Sequence, residues 1–125
     1  MKPMTGTRSY RFSKKEKLTS KKKIEGLFSK GSSFYLKALL VRHLATSETG
    51  QSHQVLISVP KRNFKRAVDR NLIKRRIREA YRLNKHVIED SEPHYIGFVY
   101  ISKEILTFHE IQDQLIRALD RLKDN

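Results

Sequence analysis

Cysteine is absent from this 125-residue chain, so disulfides and thiolate metal sites are excluded. No apolar run approaches the roughly 20 residues that a membrane-crossing helix needs. The first residues, Met1 to Arg11, are positively charged but have no apolar stretch behind them, which argues against a secretory signal. The expectation is a soluble, cytoplasmic protein with no membrane association. Its 125 residues suit one domain, and 38% hydrophobic residues suffice for one modest core.

The residues that break bonds are also missing from the arrangements that would make them useful. Phosphodiester cleavage by a protein calls for clustered carboxylates on metal ions, or for histidines as general acid and base. Glu89, Asp90 and Glu92 fall in a proline-containing stretch and read as a solvated loop. Asp113 and Asp120, beside Arg117 and Lys123, read as an exposed helix face. The histidines (43, 53, 86, 94 and 109) lack the four-residue spacing of a helical zinc site. His43 and His53 would meet only across a hairpin, and ordinary surface or RNA-contacting histidines explain them better. Phosphate-binding glycine loops and nucleophile elbows are absent as well. No catalytic residue, metal ligand or side-chain-bound cofactor is assigned.

What the chain has is positive charge: 27 Lys and Arg against 13 Asp and Glu, a net +14. Two segments hold it. Residues 1–23 carry +8 and residues 61–82 carry +8, while the other 80 residues sum to −2. Charge confined in this way points to a polyanion, because each phosphate neutralised releases condensed counterions.

Residues 1–17 show no apolar periodicity and read as a flexible basic arm, with one domain over 18–125. Thr19 or Ser20 is placed to cap a helix whose apolar positions are Ile24, Leu27 and Phe28, ending near Gly31. Apolar runs at 34–44 and 54–59 read as strands joined in a hairpin through the turn-like 46–52, and either run could be divided. Residues 66–84 read as a helix with Ile73, Ile77, Ala80 and Tyr81 on one face and Asn71, Arg75, Arg78 and Arg82 roughly opposite. A nearly continuous apolar strand follows at 95–101, suggesting burial on both faces. Thr107 with Glu110 forms a capping-box pattern before a last helix with Ile111, Leu115, Ala118, Leu119 and Leu122 as its stripe. The order is helix, two or three strands, helix, strand, helix, which is an α+β domain.

Residues 61–82 hold few acids to pair with their cations, so the charges repel rather than stabilise the helix. Arginine outnumbers lysine there, which suits bidentate contacts to phosphate. A helix-turn-helix reading would need a helix just before this one, where QVLISVP reads as a strand ended by Pro60. Structured RNA, recognised through shape and backbone, fits better.

The stretch SVPKRNFKRAVDRNLIKRRIREAYR, residues 58–82, resembles the signature of the bacterial ribonuclease P protein component. The matching positions are Lys61, Arg62, Ala67, Arg70, Asn71, Lys74, Arg75, Arg78 and Glu79. Leu72 departs, standing where the family has a second arginine, and neighbouring Arg76 offers charge the family often lacks. Residues 17–31 resemble the family's first helix, and 95–101 and 107–122 its last strand and helix. The resemblance implies a two-layer α/β sandwich of order α-β-β-β-α-β-α, ribosomal protein S5 domain 2-like, with a left-handed βαβ crossover against the usual right-handed rule.

It also implies a subunit of a ribozyme that removes the 5′ leader from precursor tRNA, with catalysis and Mg²⁺ belonging to the RNA. The implied partners are ribonuclease P RNA and precursor tRNA, with no obligate protein partner. Contacts to the catalytic RNA are expected from Lys61, Arg62, Lys65, Arg66, Arg70, Asn71, Lys74, Arg75, Arg78 and Arg82. A leader cleft is expected from Lys17, Ile24, Phe28, Leu40 and Arg42. The family often has Phe at the position of Ile24, so base stacking falls to Phe28, helped by Phe34 or Tyr35. The rival from another class is a ribosomal or ribosome-assembly RNA binder with no part in cleavage.

Overall fold

A computed structural model describes residues 14–46 and 53–124. Most of the expected arm, residues 1–13, and most of the turn-like stretch, 47–52, lie outside the described residues. Seven elements follow in order: α1 (Lys21–Lys30), β1 (Ser32–Tyr35), β2 (Leu39–Ala45), β3 (Gln54–Ser58), α2 (Ala67–Asn84), β4 (His94–Tyr100) and α3 (Phe108–Lys123). This is the α-β-β-β-α-β-α order.

Helix α1 starts on Ser20, whose Oγ accepts the Lys23 N–H. Gly31 ends it, and its N–H bonds the Leu27 carbonyl at 2.9 Å. With φ at −73° the backbone needs no left-handed conformation there. Close approach demands the glycine instead: a Cβ would collide with the Leu27 carbonyl oxygen and lie 2.9 Å from that of His43.

The apolar run at 34–44 is two strands. β1 and β2 form an antiparallel hairpin around Leu36–Ala38, pairing Tyr35 with Leu40 and Phe34 with Val41. That turn has neither Gly nor Pro. A side chain 76 residues away stabilises it, since the buried Gln114 Oε1 of α3 accepts the Ala38 N–H at 2.6 Å.

The hairpin expected between the runs at 34–44 and 54–59 does not form. Strand order is β1-β2-β4-β3, with β4 antiparallel to β2 and parallel to β3. The reason is burial. Six of the seven β4 residues are buried, so β4 takes an inner position and displaces β3 to the edge. β3, α2 and β4 thereby form the parallel βαβ unit.

Each face of the sheet has its own core. Phe34, Val41, Ile96, Phe98 and Tyr100 pack against Ile73, Ile77 and Tyr81 of α2 and Ile111, Leu115 and Leu119 of α3. Full burial of one such side chain is worth about 1.5–3 kcal/mol. Across the opposite face lies α1, where Leu18, Leu27 and Tyr95 cluster with Ile24, Leu44 and Leu56. Residues 17 and 18 extend the β3 edge, with Leu18 N–H bonding the Val55 carbonyl at 2.9 Å. Glu16 pairs with Lys85 at 2.9 Å, well shielded from solvent on both sides. The capping box at Thr107 is complete, with Thr107 N–H on Glu110 and Glu110 N–H on Thr107 Oγ1.

Candidate nucleic-acid interface

Packing of Ile73, Ile77, Ala80 and Tyr81 into the core fixes the rotation of α2, and its cations follow from that. Arg70, Lys74, Arg78 and Arg82 recur every fourth residue, so they line one ridge. Arg75, Arg78 and Asn71 are exposed and Lys74 is half-buried. Lys61, Arg62 and Lys65 are exposed on the segment leading into the helix. Lys61, Arg62, Lys65, Lys74, Arg75 and Arg78 have no ion-pair partner among the described residues. Such cations are available to phosphate oxygens.

The other expected contacts are engaged within the protein. Arg66 lies 3.8 Å from Asp69. Arg82 Nε bonds Glu79 at 2.6 Å, which holds the Glu79 carboxyl below the usual carboxylate range. Arg70 Nη1 donates to the carbonyls of Phe64 and Lys65, both at 2.8 Å. It therefore ties the linker to the helix while the linker's own cations face outward. Arg76 donates to the Leu106 carbonyl in the β4–α3 loop, so its charge is turned toward α3. Beside Leu72, Val68 one turn earlier is 64% exposed.

The expected cleft residues divide. Phe28, Leu40 and Arg42 lie on the α1 side of the sheet. The Arg42 guanidinium sits 5.3 Å from the Phe28 ring centre, and the Phe28 side chain is 39% exposed. Ile24 packs with Leu18, Leu27 and Tyr95 in the small core. Lys17 stands exposed at the β3 edge, on the far side of the sheet from β1. Of the two further aromatics, Phe34 is in the main core under Arg121, whereas Tyr35 is 68% exposed.

Tyr35 and Leu40 open onto a groove of about 660 Å³ lined also by Pro60, Arg62, Asn63, Val99 and Lys103. Asn63 and Lys103 were not singled out in the sequence. They come from two loops far apart in the chain, and no local pattern marks them. Tyr100 shapes the second loop, because its hydroxyl donates to the Glu104 carbonyl at 2.6 Å and accepts the Leu106 N–H at 3.1 Å. The groove joins Leu40 and Val99 of the sheet to Arg62 and Asn63 of the cationic linker.

His43 and His53 do not meet. The ring of His94 stands 6.1 Å from the first and 5.8 Å from the second, because β4 separates their strands. Both nitrogens of His53 are used: Nδ1 accepts the His94 N–H at 3.1 Å and Nε2 donates to the Ile88 carbonyl at 2.7 Å. Burial pushes the pKa of His53, and of His43, below the ordinary histidine value. Among the described residues no group of three or more His, Asp or Glu could hold a metal ion. No described helix is long and apolar enough to cross a membrane.

A cationic helix ridge, a cationic linker and a groove with an exposed tyrosine on an α+β sandwich are the features of a nucleic-acid-binding protein. Comparison with known proteins makes this specific. The family model described as Ribonuclease P matches residues 12–123, and the chain belongs to the ribonuclease P protein family. The ribonuclease P protein component of Porphyromonas gingivalis is 35% identical over 128 aligned positions, covering 98% of this chain and 93% of that one. That of Petrotoga mobilis is 29% identical, covering 90% and 95%. The RNase P protein of Staphylococcus aureus superposes with a TM-score of 0.74 at 25% identity, covering 86% of this chain and 95% of that one. The protein from Thermotoga maritima shares the fold at a TM-score of 0.73 and 24% identity.

Proposed function

We propose that this chain is the protein subunit of a ribonuclease P ribozyme. In this reading it binds the catalytic RNA through the linker and α2, and the 5′ leader of precursor tRNA across the α1 side of the sheet at Phe28 and the groove at Tyr35 and Leu40. The observation that carries the proposal is a pair of surfaces: Lys74, Arg75 and Arg78 without an ion-pair partner among the described residues, and exposed Tyr35 in a groove with Arg62 and Lys103, with Phe28 partly open over Arg42 on the α1 side of the sheet. The first suits the phosphates of a folded RNA, and the second suits single-stranded bases that need a π-face and a nearby cation.

Endonucleolytic cleavage, giving the mature 5′ end of tRNA, belongs to the RNA in this reading, and Mg²⁺ is held by RNA phosphates. The protein's residues bind and orient. They reduce repulsion between the two RNAs and favour substrate over product, because product lacks the leader. The site of action is the cytoplasm.

The test is reconstitution with a bacterial ribonuclease P RNA and a leader-bearing precursor tRNA at low Mg²⁺. Strong stimulation that requires the RNA and weakens in Arg75→Ala/Arg78→Ala supports the proposal. Tight RNA binding without stimulation would favour a ribosomal or ribosome-assembly role, and cleavage by protein alone would refute RNA catalysis.

A further inference from the structure

We infer that Arg42 is a positioning residue, which fixes the Phe28 ring and the C-terminal turn of α1 over the sheet and does not itself contact RNA. The inference rests on the proposed leader-binding groove but departs from the contact role that the family resemblance implies for Arg42.

Three observations carry it. The first is where the guanidinium is committed. Its Nη2 donates to the Phe28 carbonyl at 2.6 Å and to the Gly31 carbonyl at 3.4 Å. These carbonyls belong to the end of a helix, where orphan acceptors and the negative end of the dipole favour a cation. The second is the ring contact, since the same group lies 5.3 Å from the Phe28 centroid. The third is the Nε, which is buried without a hydrogen-bond partner among the described residues. An arginine that reads phosphate presents its fork to solvent. Arg42 directs Nη2 of its fork to the carbonyls at the end of α1.

Gly97 completes the arrangement. On β4 it pairs with Arg42, and a Cβ there would lie 3.3 Å from Leu27 Cδ2, 3.8 Å from Phe28 Cζ and 3.9 Å from Arg42 Cβ. The three side chains close over the one β4 position that has none. Phe28 is thereby held in place from below and the side while keeping 39% of its surface open. A ring fixed before binding loses less conformational freedom when a base stacks on it.

The experiment measures holoenzyme affinity for leader-bearing precursor and for mature tRNA across a salt series. The proteins are wild type, Phe28→Ala, Arg42→Met, Arg42→Lys and the double variant Phe28→Ala/Arg42→Met. Positioning predicts that Phe28→Ala and Arg42→Met each shrink the precursor-to-mature affinity ratio about 10-fold, within the range for one stacked base. The double variant should be no worse than Phe28→Ala alone, and the salt slope of Arg42→Met should match wild type. Arg42→Lys should lose part of the ratio, because an ammonium can reach a carbonyl but lacks the planar face that lies by the Phe28 ring. A slope reduced by about one or additive losses would establish a phosphate contact and overturn the inference. An unchanged ratio in Arg42→Met would overturn it too. Nuclear Overhauser contacts between the Phe28 ring and Gly97 in the free protein separate this from the functional reading. Their loss in Arg42→Met supports positioning and their retention refutes it, whereas a wild-type protein with no leader preference would sink only the leader proposal.

Discussion

Helices α2 and α3 pack side by side on the same face of the sheet and bury similar aliphatic stripes, yet their outer faces follow opposite electrostatic patterns. α3 carries three acids and three bases, opens on a full capping box and pairs Asp113 with Arg117 at 3.3 Å. α2 carries two acids and six bases, and Arg66 at its N-cap makes no side-chain capping bond. Cations four apart repel by roughly 0.2–0.5 kcal/mol per pair, and on this ridge Glu79 offsets Arg82 and backbone carbonyls hold Arg70, whereas Lys74 and Arg78 have no ion-pair partner among the described residues. A helix with α3's charge pattern would serve the core as well. In the proposed reading the uncompensated cations of α2 face the phosphates of the RNA.

The sharpest way to break this comparison begins in the core. Ile77 and Leu115 are both fully buried, one on each helix. Ile77→Ala and Leu115→Ala should each cost about 2–5 kcal/mol of stability in denaturant titration, with no change in the salt slope of RNA binding by the folded fraction. Unequal effects on RNA binding would show that the two helices differ in more than their surfaces.

Next comes the ridge itself. Arg75→Ala/Arg78→Ala should reduce the salt slope of binding to ribonuclease P RNA by about two and weaken affinity about 30-fold at 0.15 M salt. Its melting temperature should hold or rise slightly. Thr107→Ala on α3 should do the reverse, losing about 1 kcal/mol of stability and leaving RNA affinity alone.

Acid gives the mildest contrast, and it acts on the sheet rather than the ridge. Burial depresses the folded pKa of His53 and of His43, so the unfolded chain takes up protons first as pH falls below 6.5. Stability should therefore be full above pH 6.5 and decline as pH falls from there toward the folded values. His53→Gln should flatten that decline in thermal melts across pH 7.5 to 5.

The parts of the molecule legible in the sequence are those set by local pattern. Both faces of α2 follow from a 3.6-residue period, and Thr107–Glu110 announces α3. The apolar run at 95–101 predicted burial on both faces, which β4 has. The break between β1 and β2 was not legible because its turn is held by Gln114, and the β2–β3 hairpin failed because β4 displaces β3. Within the candidate site, sequence identified the cations but not their direction. Arg70, Arg76 and Arg42 each donate to a backbone carbonyl, a commitment that only the folded chain creates. The groove was hidden for the same reason, since Tyr35, Asn63 and Lys103 converge from three loops and strand ends.

The most direct measurement of the central claim is the salt dependence of binding to ribonuclease P RNA by three proteins: wild type, Arg75→Ala/Arg78→Ala on α2 and Arg117→Ala/Lys123→Ala on α3. All three remove or retain charge on a surface helix of one domain. A slope reduced by about two for the α2 variant, with the α3 variant indistinguishable from wild type, is the predicted result. Equal reductions in both variants would mean that net charge alone drives binding, and would contradict the account of α2 as the RNA-facing helix.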